Sequence, residues 1–521
     1  MRTLLCFVIQ FLLLPGTVIG GVFTGPDRPA PMVDTPQRVF MTDVAKAGAS
    51  YVAVGRQGII ISSRDGGNSW EQAESPVSVL LTAADFPSAK MGWAVGHAGV
   101  VLNTSNGGKT WSKQLDGFDI GAMKVRRLDN QVAEYEQEMK RSSGQKLDDL
   151  EWELEDVKFA LEDAEVAAKI GNYAFSDVAF VDEKVGCAVG PSGLLLCTVD
   201  GGKSWEDKSG AIDNRNGWNL NAVLVTKDEA FLVAGENGVF FRSEDLTRSW
   251  KTVNVDDGET TFLNLVEVNP ELLLLLPRGS YFYASERQGQ VWDKVEVNGV
   301  LDNLFSGAYL GGKLVLMANS EFGVTKNQND GWSSIRLPGV RGTTDILSLD
   351  ENFALVAGEH GVVRVSASDI MKTDNVDVLS LDAEVAAMKK RFKERLLIVT
   401  VKTQRDQALN QQNVELVDSM QLSLEQTPGV LTVYSAADHA KYSTRELYEG
   451  NPKFFALAID ERILSASMNG ISETFANIQW TETHLLVFVD ENIGDARRNI
   501  SRTLQPFMSQ SMTSNYEIVL P

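Results

Sequence analysis

The chain has four histidines, His97, His360, His439 and His484, and no two stand at a metal-ligand spacing. A metal centre or a histidine-based triad therefore has no framework. Asp65, Asp200 and Asp245 recur in similar turns and could suggest calcium, yet each has only one nearby carboxylate, where calcium takes roughly six to eight oxygens. Every G-x-x-G connects two strand-like runs and not a strand to a helix, which excludes a phosphate or dinucleotide loop. No cofactor and no metal is expected. Tyr281 and Tyr283 beside Glu286 are a tyrosine–carboxylate grouping that glycoside chemistry could use. Cys187 and Cys197 allow at most one disulfide once Cys6 is set aside with the N-terminal segment. A tight turn through Pro191 and Ser192 would pair Gly190 with Gly193 and put Cys187 opposite Leu196, which predicts two separate buried thiols.

The residues around these groups repeat. AVGRQGIIISSRDGGNSW from Ala53 returns as AVGHAGVVLNTSNGGKTW from Ala94 and AVGPSGLLLCTVDGGKSW from Ala188, with weaker copies from Val233, Leu275, Leu316 and Val356. Aligned on the hydroxyl residue that closes each apolar run, the copies fall at Ser63, Thr104, Thr198, Ser243, Ser285, Thr325 and Ser366, in steps of 41, 94, 45, 42, 40 and 41. Each copy reads as a strand, a Gly-rich turn, a second strand and a polar turn closed by Trp. Strand-only repeats of this length are propeller blades. The reading is mainly β: a seven-bladed propeller over residues 36–371, with Trp70, Trp111, Trp205, Trp250, Trp292 and Trp332 filling the gaps between blades. A strand near Arg38 to Met41 is expected to close the final blade, because no Trp turn follows Ser366.

SRDGGNSW at Ser63 resembles the Asp-box turn of sialidase-like BNR repeats, and the longer unit, with GWAVG at Gly92, resembles the seven-bladed propellers of the photosystem II stability and assembly factors. That resemblance implies a non-enzymatic assembly scaffold, some of whose relatives hold a membrane-protein precursor with an arginine patch. Here Arg56, Arg64, Arg242, Arg278 and Arg364 are spread one per blade, and the Arg-Ile-Pro motif that a sialidase carries ahead of its first Asp-box is missing.

The double step between Thr104 and Thr198 holds a stretch of different period, residues 123–170. Val125, Leu128, Val132, Tyr135 and Met139 form one seam, and Leu147, Leu150, Leu154, Val157 and Leu161 a second, with Ser142 to Gln145 as the turn. These predict an antiparallel coiled-coil hairpin leaving the propeller between blades two and three. From Asp129 to Lys169 it carries 13 acidic and five basic residues. Trp152, Phe159 and Val166, seven apart, make a further apolar line that either rests on the propeller rim or C-terminal domain or docks a partner.

After Ser366 the pattern alternates strand and helix: RLLIVTVK from Arg395, a helix, GVLTVYS from Gly429, an irregular helical segment, LLVFVD from Leu485, a helix and YEIVL from Tyr516. It predicts a ferredoxin-like α+β domain over 375–521. With LYEGNPKFFAL it resembles the periplasmic porter domain of RND/MMPL-type exporters, Tyr448, Asn451 and Phe455 lying in its most specific piece. No stretch after the first twenty residues is long and apolar enough to span a bilayer.

Residues 1–20 read as a signal peptide, Arg2 followed by an apolar run and a small-residue end, which places the mature chain in the periplasm. The formal charge of −22 argues against nucleic-acid partners. The functional expectation is a scaffold serving a membrane exporter of RND/MMPL type, docking through Trp152, Phe159, Val166, Tyr448, Asn451 and Phe455. The alternatives are a glycan- or protein-binding propeller of the periplasm or cell surface, and a sialidase-like glycosidase.

Overall fold

The computed structural model describes residues 25–521 apart from 256–259, 298–302, 319–320, 326–331, 336–341, 371–380, 393–394, 406, 459–460, 469, 478, 491, 512–515 and 521. The expected signal peptide and the expected boundary near residue 375 lie outside the described residues. Between Met41 and Ser366 the chain forms seven antiparallel meanders in sequence order, over 41–72, 81–115, 177–207, 220–252, 262–296, 304–335 and 343–366. Among the described residues the first six have four strands and the last has three. The first strand of each sheet lies against the first strand of the next, and Thr343–Ser348 returns to Met41–Ala47, so the inner strands form a closed ring.

A polar residue early in each inner strand ties it to the next. Asp43 accepts from Ala84 N–H at 2.7 Å, Asp85 from Phe180 N–H at 2.7 Å, and Asp177 from Val223 N–H at 3.0 Å. Asn221 and Asn264 donate to the carbonyls of Phe262 and Phe305, Ser306 donates to Asp345, and Asp345 accepts from Val44 N–H. The ring therefore closes through side chains. This corrects the expected closing strand near Arg38: Pro36–Arg38 is a tight 3-10 turn with proline at its first position, and Met41 already belongs to the first sheet. Thr344 Oγ1 donating to Met41 O, and Leu355, Ala357 and Val362 packed on Met41, Ile59 and Ile61, hold the seam.

Apolar residues of adjoining sheets interlock, and the repeated Trp residues pack at these junctions. The Asp-box turns are self-contained. Asp65 accepts from Ser69 N–H at 2.9 Å and Ser69 Oγ at 2.6 Å, while Ser63 Oγ accepts from Gly67 N–H, which sits at φ +81°. Those hydrogen bonds hold the Asp65 carboxyl down to about 2. Asp200 and Asp245 repeat the arrangement.

The turn of the third hairpin differs from expectation. Ser192 and Gly193 both take positive φ, the loop spans Pro191 to Gly193, and Gly190 pairs with Leu194. That one-residue shift sets Cys187 opposite Cys197 with Cα atoms 4.1 Å apart, and the two form a disulfide. The prediction of two separate thiols was wrong.

Helix α1, Gly117–Met139, and helix α2, Gln145–Ile170, form the inserted hairpin. α1 starts earlier than residue 123 because Asp116 caps it, accepting from Phe118 N–H while Asp119 reaches back to Asp116 N–H. Leu128, Val157 and Ala164 are buried between the helices. Gly117 N–H donates to Ala98 O, and Arg127 pairs with Asp207 at 2.7 Å, fixing the hairpin's root to the ring.

In the C-terminal part, Leu396–Thr403, Val430–Tyr434, Glu482–Val489 and Tyr516–Val519 make one antiparallel sheet in which the first and third strands are central and the second and fourth are edges. Helices Gln411–Glu425 and Ile493–Ser511 contribute Val414, Val417, Met420, Leu424, Ile500 and Leu504 to the core it shares with Leu397, Val399 and Val401. Among the described residues no helix is long and apolar enough to cross a membrane.

Candidate functional site

The hairpin leaves the ring where an outer strand passes to the next inner strand, at the end where the second and third strands of each blade turn. The C-terminal domain sits on the same end, against the turns holding Arg56, Gln57, His97 and Glu359. Both additions to the ring thus share one face.

At the contact, Arg56 Nη2 donates to Asp418 Oδ1 at 2.5 Å and to its carbonyl at 2.8 Å, Nη1 pairs with Glu425 at 3.1 Å, and Gln57 donates to Asp418 Oδ2. Lys441 pairs with Asp418 from the C-terminal side. Burial disfavours the Asp418 anion, but Arg56 and Lys441 outweigh it and hold this carboxyl well below the usual range. Burial pushes Glu425 and Asp438 up. Beside this network lies a cleft of about 530 Å³ between ring and C-terminal domain.

The residues expected to dock a partner separate into two groups. Asn451 is 3% exposed and Phe455 is half-buried; Phe455 packs edge-on against Phe40 of the ring and Tyr442. Tyr448 stacks on Phe454, which meets His97. The turn Pro452–Phe454 carries Lys453 into the mouth of the ring, 3.3 Å from Asp177, above a cavity of about 430 Å³ lined by Asp43, Asp85 and Asp345. The conspicuous segment at Tyr448 is therefore internal glue. Its Glu-Gly-Asn sequence forms the turn that presents Lys453, and nothing in the sequence marked the acidic ring mouth as its receptor.

Trp152, Phe159 and Val166 are 73%, 68% and 55% exposed on α2. They rest neither on the rim nor on the C-terminal domain. Asp148, Asp149, Glu155, Asp156, Glu162 and Asp163, three or four residues from these apolar positions, are all exposed, so carboxylates flank the stripe along its length. Tyr283 is buried between blades and Tyr281 bonds Thr260 at 3.1 Å, so these two rings serve packing. Among the described residues no group of three or more His, Cys, Asp or Glu could hold a metal ion.

A family model described as photosynthesis system II assembly factor YCF48 matches residues 29–142 and 160–320, just over half of the chain. Similar solved structures include YCF48 bound to D1 peptide and YCF48 from Cyanidioschyzon merolae, each at 14% identity and TM-score 0.42 over 65% of this chain and 98% and 97% of theirs. The WD40 propeller domain of Doa1 aligns over 66% of this chain and 96% of its own, at 10% identity and TM-score 0.41. No curated protein is similar to the chain at a significant level.

Proposed function

The chain belongs to the photosynthesis system II assembly factor YCF48 family; from that membership together with the porter-like C-terminal segment we propose that it is a non-enzymatic, exported scaffold: a periplasmic accessory or assembly factor for a membrane exporter of RND/MMPL type. The seven meanders are read as a seven-bladed propeller, and the C-terminal sheet, with its central first and third strands, as a ferredoxin-like domain of porter type. The observation that carries the reading is the α2 stripe. Three large apolar side chains stand in solvent on an arm about 40 Å long, and surfaces of that kind mark interaction sites. The flanking carboxylates call for a partner that is apolar and basic, which disfavours a second copy of this arm and an anionic lipid surface. The C-terminal domain, clamped to the ring through Arg56 and Asp418, adds rigidity beside the arm's root.

The test is a strain lacking the protein. Export of the pump's cargo should fall, and restoring the wild-type chain, but not Trp152→Ala with Phe159→Ala, should recover it. Unchanged export without the protein would sink the exporter assignment. A glycan-binding or sialidase-like propeller would instead bind or cleave sugars with the arm removed.

A further inference from the structure

The outward side of α2 is laid out in three rows. Trp152, Phe159 and Val166 lie opposite the buried line of Leu150, Val157 and Ala164, the last two of which pack with Leu128 of α1. At about 100° per residue, Asp148, Glu155 and Glu162 run about 50° to one side of this stripe, and Asp149, Asp156 and Asp163 about 50° to the other. All six carboxylates are exposed, and among the described residues none is in an ion pair. Lys146 and Lys158 are turned to α1, where they pair with Glu138 and Glu136, and Lys124 of α1 attracts Asp163 without pairing with it. Rows of unmatched carboxylates repel one another along the arm, and cations set against both rows would relieve that repulsion.

The spacing selects the form of what brings those cations. Residues seven apart stand about 10.5 Å apart along a helix. A second helix coiled on the first offers gaps between its side chains at the same seven-residue interval, so all three apolar groups seat together. Along a strand, side chains on one face recur about every 6.8 Å. Phe159 would then fall between two positions while Trp152 and Val166 found theirs. The buried line toward α1 keeps the same seven-residue interval, and a strict repeat of that length stays on one line only where helices wind about each other. A coil that holds Val157 and Ala164 against α1 therefore also keeps the stripe straight for a further helix.

We propose that the partner meets the arm with an amphipathic α-helix of about three heptads, apolar along one seam and carrying Lys or Arg on both flanks of it. That helix lies along α2 as the third helix of the coil, its seam on Trp152, Phe159 and Val166 and its cations against the two acidic rows. The proposal rests on the reading of the stripe as a docking face and adds the form and charge of the occupant.

Random peptides of about 21 residues, three heptads, selected by mRNA display on the full chain, supply the probe. Counter-selection uses the chain carrying Trp152→Ala and Phe159→Ala; both positions are exposed, so that chain keeps its fold, which circular dichroism checks. The expected winners repeat apolar residues at alternating intervals of three and four with Lys or Arg beside them, and their helix signal rises on binding. Asp156→Lys with Asp163→Lys should weaken a winner about tenfold or more, and changing the facing cations of that peptide to Glu should restore binding to within about threefold. Winners with an alternating strand pattern, acidic winners, or none that survive the counter-selection would overturn the proposal. So would a dimer of the wild-type chain in sedimentation that Trp152→Ala with Phe159→Ala abolishes, because a second copy would then be the occupant. Normal export in a strain lacking the protein would remove the exporter and leave the helix site standing, whereas a failed selection would remove the helix and leave the exporter to its own test.

Discussion

Arg56, in a turn of the first sheet, places Nη2 2.5 Å from Oδ1 of Asp418, 362 residues further along, and both side chains are buried. With Lys441 on the other side of the carboxylate, the pair fastens the C-terminal domain to the ring. Asp418→Ala would leave two buried cations without their shared partner. A loss of about 3 to 5 kcal/mol is expected, read as a separate early unfolding transition by calorimetry together with a larger radius of gyration in small-angle scattering. A single unshifted transition would show that the domains are held by other contacts.

Cys187 and Cys197 should give a native mass about 2 Da below that of the dithiol, since they are bonded across two adjacent strands. Replacing both with Ser is expected to lower stability by about 2 to 3 kcal/mol, measured by urea denaturation with and without reductant. Equal stability under both conditions would contradict the bond's structural role.

Two buried groups should oppose each other in the pH dependence of stability. Burial lowers His97 from 6.5 to about 4, so its contribution is present above pH 6.5 and is lost as pH falls toward 4, by about 3 kcal/mol. Burial raises Asp85 from 3.8 to about 7, although its side chain keeps some contact with the ring mouth; its contribution is present below 3.8 and is lost as pH rises toward 7. Thermal melts should show Asp85→Asn gaining on wild type from pH 4 to pH 7.5, and His97→Gln losing less than wild type from pH 6.5 to pH 4.5. Parallel curves for all three chains would refute both assignments.

The hairpin can be shortened without unfolding the ring. Its ends meet, a Cβ on Gly117 falling 2.1 Å from the Gly171 carbonyl oxygen, and Ile120 and Arg127 at its root belong to the ring's packing. Replacing Leu128 to Ala168 by a short Gly-Ser link should move the melting temperature by only a few degrees, because blades depend on their neighbours. Loss of the folded state would show that the arm supports the ring.

The repeats made the meanders legible because each copy carries its own turn chemistry, such as Ser63, Asp65 and Gly67. The hairpin was legible from its seams for the same local reason. What escaped is non-local or hinges on one residue. The extra residue in the Pro191–Gly193 turn decides whether Cys187 meets Leu196 or Cys197. Arg38, two residues after Pro36, reads as part of a strand until the turn against Gly361 is seen. Tyr448, Asn451 and Phe455 look like a docking motif because family resemblance says nothing about the partner surface, which here is Phe40, His97 and the ring mouth of the same chain. Trp152 was undecided because a helix's apolar line reads the same whether it packs or waits.

The most direct test of the scaffold assignment is photo-crosslinking in intact cells from a benzophenone amino acid at position 152, with the adduct identified by mass spectrometry. The account predicts one dominant adduct with an RND/MMPL-type exporter, lost when Phe159 and Val166 are changed to Glu. A dominant adduct with a soluble protein or another copy of this chain, or no adduct at all, would contradict it.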